Sequence, residues 1–232
     1  CIKANLEEMR RYFDLPKLPE RIEIYDNSHN QGTYAVGAMV VATPEGFDKK
    51  SYRTFNIKDR TITNDDFAMM KEVLKRRFDR MAPDNRPDVI LLDGGLGQLH
   101  AVHESLSGYD LSGISIIAIS KGVDRNAGKE FYHQLGKESF ALPYRSSIAF
   151  YLQTLRDEAH RFAIGTHRKR RAKSMTKSSL DDIEGIGAKR KKDLLNHFGS
   201  VAAIKDASIE DIAKVVGINK KTAENIYNYF HK

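Results

Sequence analysis

The sequence predicts an α/β chain: a mixed β-sheet flanked by helices, followed by a small all-α domain. Three observations carry this. Short apolar or alternating runs of strand length recur through the first 120 residues, separated by turn residues. Between and after them, apolar residues fall at spacings of three and four, the period of a helix packed on one face. The last third of the chain holds two related helical units, each with a glycine-bearing hairpin. Three strands, a helix, then strand–helix–strand is the order of a mixed sheet covered by helices.

Residues 1–20 read as a helical or irregular lead-in closed by Pro16 and Pro19. "RIEIYD" is a strand ending on Asp26, Thr33–Ala42 is a second, and Ser51–Ile57 alternates with period two as a third. Pro44, Glu45 and Gly46 suggest a hairpin-like connection between the last two. From Asp65 the pattern turns helical through Phe67, Met70, Leu74, Phe78 and Met81. "DVILLD" is the fourth strand, "GQLHAVHESL" a helix and Ile114–Ser120 the fifth strand. "EFYHQL" and "SFALP" read as short strands, and Ile148, Leu152, Leu155, Ala159 and Phe162 share a helical face. These elements bound a domain at residues 21–165. Residues 166–178 are basic, small and polar with no apolar face, as in a linker. Residues 179–232 hold the repeat, with "LDDIEGIGAKRKKDLLNHFGS" matched by "IEDIAKVVGINKKTAENIYNYF".

Composition narrows the class. Of 232 residues, 41% are hydrophobic, enough for packed cores. No run approaches the ~18 apolar residues of a membrane span, and no signal-peptide pattern opens the chain. The single cysteine, Cys1, excludes an internal disulfide framework and fits a reducing, cytoplasmic setting. Beginning at Cys1 rather than Met, the chain reads as a piece of a longer protein. The net charge of +7 is uneven: residues 166–232 carry 15 Lys+Arg against 8 Asp+Glu, while residues 1–165 balance at 23 of each. The excess points to an anionic partner for the last third.

The repeats suggest how that partner is held. A tight hairpin between two helices turns backbone N–H groups and a helix N-terminus outward, which suits a phosphate oxygen. Gly185 and Gly187 form one tip, Gly217 and Asn219 the other, where Asn tolerates positive φ. Lys189, Arg190, Lys191, Lys220 and Lys221 add charge nearby. Nothing here reads base edges, so binding should follow the nucleic-acid backbone. Arg168, Arg170 and Arg171 in the linker, with Lys121 and Arg125 in "SKGVDRNAGKE", also suit phosphate.

Asp26 and Asp93 each end an apolar strand. Either alone reads as a turn or cap. Side by side at a sheet edge, two such carboxylates are unfavourable unless a cation lies between them, and oxygen ligands of this type suit Mg²⁺ or Mn²⁺. Gly94 and Gly95 would leave room for a bulky anion such as a DNA phosphate. His160 lies beside the apolar face of its helix, able to ligate metal or move a proton, though a lone helical His also reads as a surface residue. Asp157 and Glu158 are expected in solvent or paired with Arg156 and Arg161. Asp65 and Asp66 open a helix, where an N-cap and first-turn acid belong, and Asn64 is an alternative cap.

"YDNSHNQG", "DDFAMM", "ILLDGGLGQL", "SKGVDRNAGKE", "LRDEAHRFAIGTHRKRRAK" and "LDDIEGIGAKRKKDLLNHFGS" occur in that order. Together they resemble the C-terminal half of the UvrC family, the excinuclease component of bacterial nucleotide excision repair, from about Arg21 to the end. The resemblance implies an RNase H-like endonuclease domain followed by tandem helix-hairpin-helix motifs. It implies the incision 5′ to a bulky lesion in double-stranded DNA, a divalent metal (Mg²⁺ or Mn²⁺), and UvrB and UvrA as partners. By motif position it assigns the catalytic and metal-binding residues to Asp26, Asp93 and His160, and a further functional aspartate to Asp66. Asn27 stands where the family often has an apolar residue, and Leu96 where a lysine is common. The nuclease for the 3′ incision and the UvrB-binding segment would lie upstream of Cys1. Two rival readings are a non-catalytic DNA-binding scaffold and a related nuclease acting on junctions or RNA hybrids.

Overall fold

The structure is a computed structural model that describes residues 1–30, 34–58, 65–122, 130–180 and 182–231, with Arg125 and Asn64 outside them. It divides into two compact units, residues 1–167 and 168–232, and each is described by itself.

The first unit is built from α1 (Ile2–Phe13), β1 (Ile22–Asn30), β2 (Tyr34–Thr43), β3 (Gly46–Phe47), β4 (Arg53–Asn56), α2 (Asp66–Asp79), β5 (Val89–Asp93), α3 (Leu96–Ser105), β6 (Ser115–Lys121), β7 (Glu130–His133) and the part of α4 (Ser147–Leu180) up to residue 167. One sheet runs β3-β2-β1-β5-β6-β7, with β4 also paired to β2. β1, β5 and β6 are parallel, while β2 and β7 run antiparallel beside them. This is the mixed, RNase H-like sheet that the sequence predicts.

The central strands are apolar throughout because both faces are covered. Ile22, Ile24, Val89, Leu91, Ile117 and Ile119 face one core, shared with α1 and the first half of α4. Tyr25, Ile90, Leu92, Ile116 and Ala118 face the other, shared with α2 and α3. Period-two alternation therefore decides which helix layer each side chain meets. α2 seats closely on β2 at Gly37, where an added Cβ would lie 2.4 Å from Val73 Cγ2. Below it, Arg77 of α2 makes two bonds of 3.0 and 2.8 Å to the fully buried carboxylate of Glu23, which also accepts from Tyr25 and Arg21.

Four features differ from the sequence reading. The lead-in belongs to the unit: Leu6, Met9 and Phe13 of α1, and Leu15 after it, are buried in the same core as β1. β1 does not end on Asp26 but continues to Asn30 alongside β2, which pairs Asp26 with Ala38. "SFALP" contributes a single bridge, Tyr132 to Phe140, rather than a strand. The expected linker at 166–178 is helical, as α4 continues unbroken to Leu180. Past Gly165 that stretch is rich in Lys and Arg and has neither proline nor a further glycine. Helix propensity therefore holds where no apolar face is present.

The second unit packs α5 (Ala188–Phe198), α6 (Val201–Asp206), α7 (Ile209–Ala213) and α8 (Lys220–Phe230) around Leu180, Ile183, Leu194, Ile204, Ile212, Val215, Ile218 and Ile226. No described helix is long and apolar enough to cross a membrane.

Candidate active site

The site forms where β1 and β5 part. Their parallel pairing runs from Ile22↔Val89 to Tyr25↔Leu92, and the next residue in each strand is Asp26 and Asp93. Both lie on the side of Ile24 and Leu91, toward α4. Alternation thus puts two carboxylates on one face at neighbouring positions.

α4 supplies their partners. Arg156 and His160 are four residues apart, so they share one helix face. His160 Nδ1 lies 3.0 Å from Asp26 Oδ2, with the histidine side chain 65% exposed. Asp26 Oδ1 accepts from the Asn27 backbone N–H at 2.8 Å. Arg156 Nη2 donates to Asp93 Oδ1 at 2.9 Å, and its Nη1 bonds Glu130 Oε1 at the start of β7. Burial first, and the Asp93 carboxylate second, push the Asp26 pKa above its usual value, with His160 offsetting only part of this. Burial opposes charge on Arg156, but Asp93 and Glu130 more than offset it and hold the guanidinium protonated.

The expected trio of ligands is brought to one place but not onto one point. Among the described residues, no three His, Cys, Asp or Glu side chains are gathered so as to hold a metal ion. They divide instead into His160 with Asp26 and Arg156 with Asp93. The donor set still suits a hard divalent cation. Two carboxylates close enough to perturb each other gain from a shared positive charge, and Mg²⁺ is commonly held by one or two carboxylates with water and phosphate completing the shell.

Around the pair, Gly94 serves the protein's own packing: a Cβ there would meet the Gln98 side chain at 2.9 Å. That buried amide reaches the Asp66 carbonyl at 3.4 Å, tying the start of α2 to α3. At Gly95 a Cβ would sit in ordinary contact, 3.8 Å from Ser120 Cβ, so neither glycine opens onto empty space and only Gly95 would take a side chain without a clash. Asp66 is exposed, one residue after Asp65, which caps α2 by accepting from Phe67 N and Ala68 N at 3.1 Å each. Sequence reasoning missed Arg156 and Glu130. Arg156 turns across the sheet rather than to Asp157 or Glu158, whereas Arg161 pairs with Glu158 as expected. The four-residue spacing of Arg156 from His160 was the signal available.

In the second unit, Gly185 and Gly217 occupy equivalent turns with φ of 89° and 82°. Gly187 and Asn219 follow as helix N-caps at φ −91° and −85°. Asn219 therefore needs no positive φ. It replaces glycine because its side chain caps α8 by accepting from Thr222 N at 2.8 Å. Lys189, Lys220 and Lys221 are exposed beside these tips, and Arg190 folds back onto the Gly185 carbonyl at 2.6 Å. Lys121 is exposed at the end of β6, and Arg168, Arg170 and Arg171 lie on the second half of α4.

Sheet topology and paired aspartates place the first unit in the RNase H-like class, and the second unit is helix-hairpin-helix. Residues 10–164 match the model of the UvrC RNAse H endonuclease domain, and residues 177–232 that of the SAM-like helix-hairpin-helix tandem. The chain belongs to the UvrC RNase H endonuclease domain family. It is 53% identical to the UvrABC system protein C of Zymomonas mobilis over 99% of its length, and 52% identical to that of Maricaulis maris over 98%. It spans 36% and 37% of those two proteins. A solved endonuclease V from Ciona intestinalis overlaps 52% of this chain and 56% of its own at 19% identity and a TM-score of 0.33, too little to argue from.

Proposed function

We propose that the chain is a divalent-metal-dependent endodeoxyribonuclease making the 5′ incision at a bulky lesion in the cytoplasmic UvrABC system, brought to DNA by UvrA and UvrB. The observation that carries this reading is the convergence of Asp26 and Asp93 at adjacent register positions, each held by a cationic or proton-bearing group from α4. Asp26 and Asp93 would hold Mg²⁺ or Mn²⁺, with His160 a third ligand or a proton carrier. When bound, such an ion lowers the pKa of water and offsets charge developing on the phosphate. Bonded to Asp26 through Nδ1, His160 keeps its Nε2 for exchanging a proton with the attacking water or the leaving oxygen. Arg156 fixes the Asp93 carboxylate and offsets its charge until DNA arrives. Asp66 acts from the start of α2, held in place through Gln98. The hairpins grip the duplex through backbone N–H groups near Gly185, Gly187, Gly217 and Asn219, aided by Lys189, Arg190, Lys191, Lys220 and Lys221. Lys121, Arg125, Arg168, Arg170 and Arg171 add phosphate contacts.

The test uses an adducted duplex already nicked on the 3′ side, loaded by UvrA and UvrB with Mn²⁺ or Mg²⁺. A 5′ nick made by this chain and lost in Asp93→Ala is the expected result. Binding without cutting by both proteins would favour a DNA-binding scaffold, a reading that draws on Arg156 already neutralising Asp93.

A further inference from the structure

Glu130, the residue that anchors Arg156, also forms one wall of a separate cavity of about 210 Å³. The other walls come from Tyr132 of β7, the turn before α4 and the first two turns of that helix. They include Tyr144, Arg145, Phe150 and Gln153, over apolar Leu142. Two features mark it off from ordinary surface. Tyr144 and Phe150 are large rings left 67% and 56% exposed, although the same stretch buries Ile148 and Leu152 in the core. Exposed aromatics in a concave site are costly to leave in water and ready to stack. Second, Pro143–Ser146 is a tight turn closed by the Ser146 N–H donating to the Pro143 carbonyl at 3.1 Å. Its third residue is Arg145 at φ 57°, a position that favours glycine or asparagine. Keeping an arginine there keeps its guanidinium, which lies 5.4 Å from the Tyr144 ring centroid. Backbone strain retained around a charged side chain at a cavity mouth is a mark of use.

Flat rings for stacking, a guanidinium for a phosphate, and an amide and a carboxylate for a base edge are together the chemistry of an unstacked nucleotide. We propose that this cavity binds one nucleobase of single-stranded DNA, extruded beside the candidate active site, with Tyr144 and Phe150 stacking on the base and Arg145 on its phosphate. The link to the site is short: Glu130 of the cavity wall holds Arg156, which holds Asp93. The proposal deepens the nuclease reading and rests on it for the identity of the strand.

The test uses the whole chain in EDTA, so that no metal-dependent cutting intervenes. The probe is a short single-stranded oligonucleotide of thymidines interspersed with 2-aminopurine, whose fluorescence falls when it stacks. The wild type should quench it. Tyr144→Ala combined with Phe150→Ala should lose most of the quenching and about tenfold in affinity, while Tyr144→Phe keeps both. Arg145→Gly should weaken binding and lower the salt slope by about one phosphate's worth. Because glycine suits that turn, its thermal midpoint should stay level or rise, separating a binding role from a structural one. Should the double variant fail to fold, Tyr144→Ala alone, at the most exposed ring, carries the comparison. Folded variants that quench and bind like the wild type would overturn the proposal. If the wild type never cuts yet the quenching follows the cavity variants, the nuclease reading falls and the nucleotide site stands. If cutting is lost only with Asp93 and quenching ignores the cavity, the site falls alone.

Discussion

Asp26 is a carboxylate kept where burial and a second carboxylate both disfavour its charge. With its folded pKa above the unfolded value of about 3.9, the folded chain holds the proton more tightly. Its stabilising contribution is complete below the unfolded pKa and is lost as pH rises through the folded one. At neutral pH, ionised Asp26 therefore weakens the fold. Asp26→Asn should raise the thermal midpoint at pH 7.5, lose that advantage near pH 4, and abolish incision, as read by calorimetry and the nicking assay. Arg156→Ala should act in the opposite sense. Removing a guanidinium whose side chain is only 12% exposed leaves Asp93 and Glu130 facing each other. The cost should be roughly 2 kcal/mol in denaturant titration, below the 3–5 kcal/mol of a fully buried pair because Asp93 is a third exposed. Asp26 and Asp93 drew notice in the sequence because each closes an apolar run, although β1 in fact continues past Asp26, and His160 was singled out chiefly by the family resemblance. Arg156 and Glu130 were missed, since charged neighbours in sequence compete as partners and only the folded sheet shows which one wins.

Among the elements, the α2–β2 contact is set by a missing side chain. Gly37→Ala would place a Cβ 2.4 Å from Val73 Cγ2, inside a core with no room to yield. Overpacking of this kind costs about 1–3 kcal/mol, and loss of that much stability without change in DNA affinity is the expected outcome. The contact was illegible from sequence, where Gly37 looked like any glycine in a strand. Strand and helix placement was readable because apolar period separates them. Their ends were harder: β1 runs past Asp26 because pairing with β2 persists after β5 has ended, and pairing is non-local. Asn219 shows the same limit, for its cap depends on a backbone φ that residue type alone does not reveal.

Across the whole molecule, charge separates from chemistry. The basic excess lies in residues 166–232 and the candidate site in the first unit. Deleting residues 177–232 should therefore lower duplex affinity and flatten its salt dependence, by about 0.9 in log–log slope for each phosphate no longer neutralised. Metal-dependent nicking at high protein concentration should survive, and binding titrations across a salt series check this. The two-unit organisation was visible in sequence through the repeat and the charge asymmetry. The helical course of residues 166–178 was not, because a stretch without an apolar face carries no periodic signal even when it is helical. Finally, the shared face of Asp26 and Asp93 has a genetic consequence. Side chains alternate along β1, so losing or gaining one codon between Arg21 and Asp26 would turn the carboxylate toward α2 and away from His160. A two-codon change keeps the facing and shifts only the height. In-frame length variation in that strand should be tolerated, if at all, in pairs.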